Sequence, residues 1–162
     1  MKKFCYLCVL LSASAWADIA CIPVQIMDGD TFICRTQQNE RIKVRMNGID
    51  APERGQAYAN QAKKALNKLI YKKSVLLVEN GKDKYNRTLA TVFLSSNTGK
   101  LNINLKMIEN GYAWHYERYS NNRQYAWAQR LAQSEKRGLW ADKGKIIEPE
   151  KWRHQHPSYQ SQ

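Results

Sequence analysis

The run "ERIKVRMNGIDAPERGQAYANQAKKALNKLIYKK", Glu40 to Lys73, changes its period partway along, and that change limits what the chain can fold into. Ile42, Val44 and Met46 alternate with Arg41, Lys43 and Arg45, so the first half reads as a strand with one apolar face. Pro52 ends it, because proline brings no N–H to a sheet ladder and biases the preceding residue away from helix. Beyond it Ala62, Ala65, Leu66, Leu69 and Ile70 recur at helical spacing with lysines opposite, the pattern of an amphipathic helix.

The same reading extends along the chain. "PVQIMDGDTFICRT" gives two strands about the turn residues Asp28, Gly29 and Asp30. "SVLLVEN" and "RTLATVFLS" give two more, joined by the polar "GKDKYN", and "SSNTGK" is a turn. "LNINLKMIENG" predicts a helix stopped by Gly111, and "SNNRQYAWAQRLAQSEKRG" a longer one opened by Ser120 or Asn121 and closed by Gly138. Five short strands with a helix after the third suit an α+β fold built on a five-stranded OB-type barrel with flanking helices. Period alone also permits another α+β arrangement.

"MKKFCYLCVLLSASAWA" has the basic start, short apolar run and small-x-small end of a secretory signal, so residues 1–17 are expected to be removed. A lipidated Cys21 is the alternative, and Asp18 argues against it. Residues 18–145 then form one domain, with 146–162 as a partly flexible tail. The expected location is the periplasm or outside the cell, with no membrane attachment after signal removal and a monomeric state. Cys21 and Cys34 are the two mature cysteines, and they flank "DGD" almost symmetrically. A disulfide across this hairpin suits an oxidising compartment; two free thiols are the alternative. The formal charge of +12 stays strongly positive without Lys2 and Lys3 and points to a polyanion, nucleic acid first.

Several chemistries are missing from the sequence: there is no Gly-x-Ser-x-Gly elbow, no Gly-rich phosphate loop and no His-Glu-x-x-His pair. His154 and His156 form an isolated His-x-His, read as solvated tail, and His115 reads as packing. What remains is acids at strand ends together with arginines. Asp28 and Asp30 have an ordinary reading as turn formers, and Asp50 and Glu53 as helix-entry charges. Taken together they are oxygen donors from separate loops, which is what a hard cation needs. Arg45 and Arg87 brought to the same place would offer planar forks to phosphate oxygens.

"VQIMDGDTFI", "VRMNGIDAPE" and "DKYNRTLATVF", in this order, resemble the thermonuclease (staphylococcal nuclease-like) family from about Cys21 to Trp140. The resemblance implies an OB-fold barrel and a Ca2+-dependent nuclease acting on DNA and RNA with 3′-phosphate products. By position it implies Asp30, Asp50 and the Ala51 carbonyl as calcium ligands, Glu53 as general base, and Arg45 and Arg87 as phosphate clamps. Lys84 and Tyr85 match positions at a terminal nucleotide phosphate; Tyr116, and with less support Trp114, match a base-stacking stretch. Two departures stand out: Ala51 where members often carry Thr, and a short segment after Glu53 where members carry a longer basic loop. A non-catalytic OB-fold module that binds nucleic acid is the rival reading, and a basic protein adhering to envelope polymers a third.

Overall fold

The computed structural model describes residues 18–96, 99–141 and 146–157, so the expected signal segment lies outside the described residues. β1 (Ile19–Ile26), β2 (Thr31–Thr36) and β3 (Arg41–Met46) form an antiparallel meander. The two-residue β4 (Ile49–Asp50) follows, then α1 (Ala59–Ile70), β5 (Val75–Lys82) and β6 (Thr88–Ser96). β5 pairs with both β1 and β6, and β6 returns to pair in parallel with β3 through Val44 with Thr88 and Met46 with Ala90. That last pairing closes five strands into the barrel expected from the sequence. β7 (Gly99–Asn102) adds to β6, and α2 (Ile103–Glu109), β8 (Trp114–His115), α3 (Arg123–Ser134) and α4 (Pro149–Gln155) complete the chain.

The barrel interior holds Phe32, Val44, Met46, Leu77 and Val92, fully buried from alternate positions of their strands. Ala62, Leu66 and Ile70 bury one face of α1 against it, as their spacing predicts. Cys21 and Cys34 are joined in a disulfide with Cα atoms 5.8 Å apart, linking β1 to β2 diagonally in a register that pairs Cys34 with Pro23. The ladder slips between Pro23 and Gln25, beside a proline that has no N–H to give it.

Several elements differ from the sequence reading: the strand expected to run up to Pro52 ends at Met46, because the chain turns at Asn47 and Gly48, the latter at positive φ, before the separate β4. Leu101 and Asn102 belong to strand β7, and α2 begins at Ile103, because the Asn102 side chain accepts from Leu105 N–H at 3.0 Å and so serves as the cap. Asn122, not Ser120 or Asn121, opens α3; its side chain accepts from the N–H groups of Gln124 (2.9 Å) and Tyr125 (3.3 Å). Within the tail, α4 (Pro149–Gln155) folds and buries Trp152; residues 158–162 lie outside the described residues. Gly111 and Gly138, both at positive φ, let the ends of α2 and α3 meet. A Cβ on Gly111 would sit 2.1 Å from the Arg137 carbonyl oxygen, and Leu139 N–H donates to the Gly111 carbonyl at 2.8 Å.

Candidate active site

Two turns bring the acids together. In the β1–β2 turn, Asp30 N–H donates to the Asp28 carboxylate at 2.9 Å, so Asp28 does the turn chemistry and leaves the Asp30 side chain for other work. Gly29 is required by packing: a Cβ there would stand 2.7 Å from the Cβ atoms of both Ala51 and Ala62. The Asp30 carboxylate accepts from Ala51 N–H at 2.6 Å and from the Thr31 hydroxyl at 3.0 Å. The chain reverses at Asn47 and Gly48, the latter at positive φ, and β4 then pairs with β8, setting Ile49 against His115 and Asp50 against Trp114. Pro52 and Glu53 follow in an irregular segment. α1 begins only at Ala59 and has no acid in its first turn, so Asp50 and Glu53 are not its entry charges.

Arg45 sits between the two aspartates. Its guanidinium lies 2.9 Å from the Asp30 carboxylate and 2.9 Å from that of Asp50, and it also donates to the carbonyls of Ile49 (2.9 Å) and Met46 (3.1 Å). The strand alternation placed it outward, but the loops fold over it. Asp30 and Asp50 are 5% and 2% exposed, which makes this a buried ion cluster rather than a surface pair. Burial pushes the Asp30 carboxyl up to about 7, against the pull of Arg45 and with help from Asp28. Asp50 and Glu53 are raised as well, first by burial. The acids thus stand in a pocket where a further positive charge is favourable.

That charge comes from a residue the motifs did not mark. Arg153 on α4 makes a two-pronged pair with Asp50 (3.0 and 2.9 Å) and reaches Glu53 at 2.6 Å. Its second prong lies 3.4 Å from the Tyr116 hydroxyl, and its guanidinium stands 5.9 Å from the Tyr116 ring centre. Gln56 supports the same corner: its side-chain oxygen accepts from Glu53 N–H at 2.9 Å, and its amide donates to the Ile147 carbonyl at 2.6 Å. The sequence carried a faint signal in Pro149 and Trp152, a helix start and an apolar anchor three residues apart.

The remaining expected residues form a second group. Arg87 pairs with Asp83 at 2.6 Å and, among the described residues, not with Asp30, Asp50 or Glu53. Its guanidinium stands 5.4 Å from the ring centre of Tyr85, and Lys84 approaches the same ring at 5.0 Å. Tyr85 is 63% exposed, so Lys84, Tyr85 and Arg87 present two cations and an open aromatic face on the β5–β6 connection. The parallel pairing of β3 with β6 puts Arg87 at the strand start, just before Thr88 opposite Val44, on the neighbour of the strand that carries Arg45. Trp114 is core, 7% exposed and edge-on to Trp140 at 5.1 Å, so it offers no platform for a base. Tyr116 packs edge-on to the exposed Tyr119 at 4.8 Å beside the acids. His115 is buried against Tyr125, and His156 stacks on Trp152 at 4.3 Å rather than lying free in solvent.

A closed five-stranded barrel that sets Asp30 on one turn and Asp50 on one short strand about the buried Arg45 of β3 is an OB-fold protein with a clustered charge site. Residues 43–142 match the family described as staphylococcal nuclease homologue, and the chain belongs to that family. It is 47% identical over 146 residues to an uncharacterized endonuclease of Haemophilus influenzae, spanning 90% of this chain and 79% of that protein. It is 36% identical over 152 residues to a micrococcal nuclease of Shigella flexneri, spanning 90% of this chain and 86% of that one. A protein named ParB of Escherichia coli is 34% identical over 157 residues, 92% of this chain and 88% of its own length.

The donor set fits a hard divalent cation. Asp30 and Asp50 approach a common guanidinium, the Ala51 backbone is tied to Asp30, and every donor is oxygen. Among the described residues no three of His, Cys, Asp and Glu are gathered closely enough to hold a metal by side chains alone.

Proposed function

We propose that the chain is an exported, calcium-dependent endonuclease that hydrolyses phosphodiester bonds of DNA and RNA with little sequence preference, leaving 3′-phosphate ends. The observation that carries this reading is the convergence of Asp30 and Asp50 on the buried Arg45, with Glu53 joined to Asp50 through Arg153, in a fold whose relatives are named nucleases. Calcium held by Asp30, Asp50 and the Ala51 carbonyl would polarise the phosphodiester and stabilise charge on its oxygens. Glu53, its carboxyl raised by burial, takes a proton from the water whose oxygen bonds to phosphorus, while the P–O5′ bond breaks and the 5′-oxygen leaves as a hydroxyl protonated from solvent. Arg45 and Arg87 present planar donors to the phosphoryl oxygens, where negative charge grows. Lys84, Tyr85 and Tyr116 hold the flanking nucleotide by charge and stacking, worth about 1–3 kcal/mol per stacked base.

Two observations support export: the secretory pattern of residues 1–17 and the Cys21–Cys34 disulfide, a bond that persists in oxidising compartments. No helix among the described residues is long and apolar enough to cross a membrane. The deciding experiment incubates the mature protein with plasmid DNA and with RNA, in calcium and in excess chelator, and identifies the product ends. Cleavage that needs calcium and leaves 3′-phosphates is the expected result. Full activity in chelator overturns the metal role, and binding without cleavage in calcium would make the protein a nucleic-acid-binding barrel instead.

A further inference from the structure

We infer that Arg153 is a built-in cation of this site, and that the C-terminal helix it rides on is an autoinhibitory strap that calcium must displace. The inference rests on the calcium reading above.

The geometry is one of direct competition. Both Asp50 carboxylate oxygens are taken by Arg153, and one of them also accepts from Arg45 at 2.9 Å. The Glu53 carboxylate, whose work is to take a proton from water, is held by the same guanidinium at 2.6 Å. An oxygen that accepts charge-assisted hydrogen bonds from two arginines has no lone pair to turn toward a metal. Calcium at Asp50 therefore competes with Arg153 for Oδ1 and for the charge of the site, and withdrawal of Arg153 releases Glu53 in the same movement.

The strap is built to hold without being part of the barrel. α4 is only seven residues long and is fixed at a few points. Trp152 is buried and stacked on His156, Glu150 pairs with Arg118 at 2.5 Å, and the Ile147 carbonyl accepts from Gln56 at 2.6 Å. Glu148, Pro149 and Glu150 also form one wall of a cleft whose other sides include Asp50, Tyr116 and Arg118. The docked strap thus stands beside the acids and next to Tyr116, where a flanking nucleotide would lie, so its departure opens the metal site and the approach to it together. A site open only part of the time binds with its affinity reduced by that fraction, so a strap docked about nine times in ten weakens calcium binding about tenfold.

The test is calcium binding to the full mature chain by titration calorimetry, beside the calcium dependence of plasmid cleavage. Arg153→Gln should bind calcium about tenfold more tightly and reach half-maximal cleavage at correspondingly lower calcium, with Arg153→Lys between it and the parent. Trp152→Ala, which loosens the strap without altering a charge in the site, should shift binding in the same direction and guards against a folding defect in the first variant. Unchanged or weaker calcium binding in both Arg153→Gln and Trp152→Ala overturns the inference. So does a loss of cleavage by Arg153→Gln at saturating calcium, which would make Arg153 a substrate ligand. A parent protein that neither binds calcium nor needs it for cleavage defeats the calcium reading itself, and the strap inference with it.

Discussion

Asn104 links the barrel to the turn that carries Asp50, and removing its amide should be costly. It is fully buried on α2, where its side chain acts as a missing strand residue. Its oxygen accepts from Val92 N–H at 2.9 Å, and its nitrogen donates to the carbonyls of Ala90 (3.2 Å) and Asn47 (2.8 Å). In Asn104→Ala, Ala90 keeps its bond from Asn47 N–H at 2.8 Å, and the half-exposed Asn47 carbonyl can turn to water. Val92 N–H cannot, because Val92 is fully buried; an orphaned buried donor costs about 1–3 kcal/mol. The vacated volume adds to this, for a total of about 3 kcal/mol. For a domain of this size that lowers Tm by roughly 10 °C, at about 2–4 °C per kcal/mol. Equilibrium urea unfolding of the calcium-free protein measures the difference directly. A loss below about 1 kcal/mol would refute the reasoning, since it would mean that water or backbone movement satisfies Val92 without the amide.

Glu53→Gln should lower turnover about 100- to 10,000-fold, the range of a lost general base, while the circular dichroism spectrum stays that of the parent; near-normal cleavage by the folded variant would remove Glu53 from that role. Gly29→Ala forces a methyl against Ala51 and Ala62, two side chains that cannot swing away, and should cost about 1–3 kcal/mol in calorimetric stability while weakening calcium binding through the displaced Asp30. Asp83 is held below the usual carboxylate range: burial works against this, but hydrogen bonds from Arg87 and Tyr85 prevail. Its contribution to stability is thus present above the unfolded pKa of about 3.9 and is lost as pH falls through the lower folded value. The stability gap between parent and Asp83→Asn, measured by urea unfolding from pH 3 to 7, should close only at the acid end; a gap that does not vary with pH would contradict this.

The sequence by itself determined most of the barrel strands, the apolar face of α1 and the identity of the candidate acids. Alternation over Arg41–Met46 and the helical recurrence of Ala62, Leu66 and Ile70 mark which face of each element is apolar, and burial follows from that local property. The spacing of Asp30, Asp50 and Glu53 was equally legible, because turn and strand-end positions are set by neighbours such as Gly29 and Pro52. Tertiary structure decided what each charge faces. Arg45 read as an outward strand residue, yet the loop through Asp50 covers it and makes it the counter-ion of both aspartates. Arg87 was equally visible, but a local carboxylate at Asp83 takes it in preference to the distant acids. Trp114 and Tyr116 stand two residues apart in one aromatic run, and only the pairing of β8 with β4 buries the first and leaves the second beside the site. Arg153 lies 100 residues from Glu53 along the chain, and no local period or spacing couples two side chains across that distance. Their contact is decided by where the barrel, α3 and the docked Trp152 put the end of the chain.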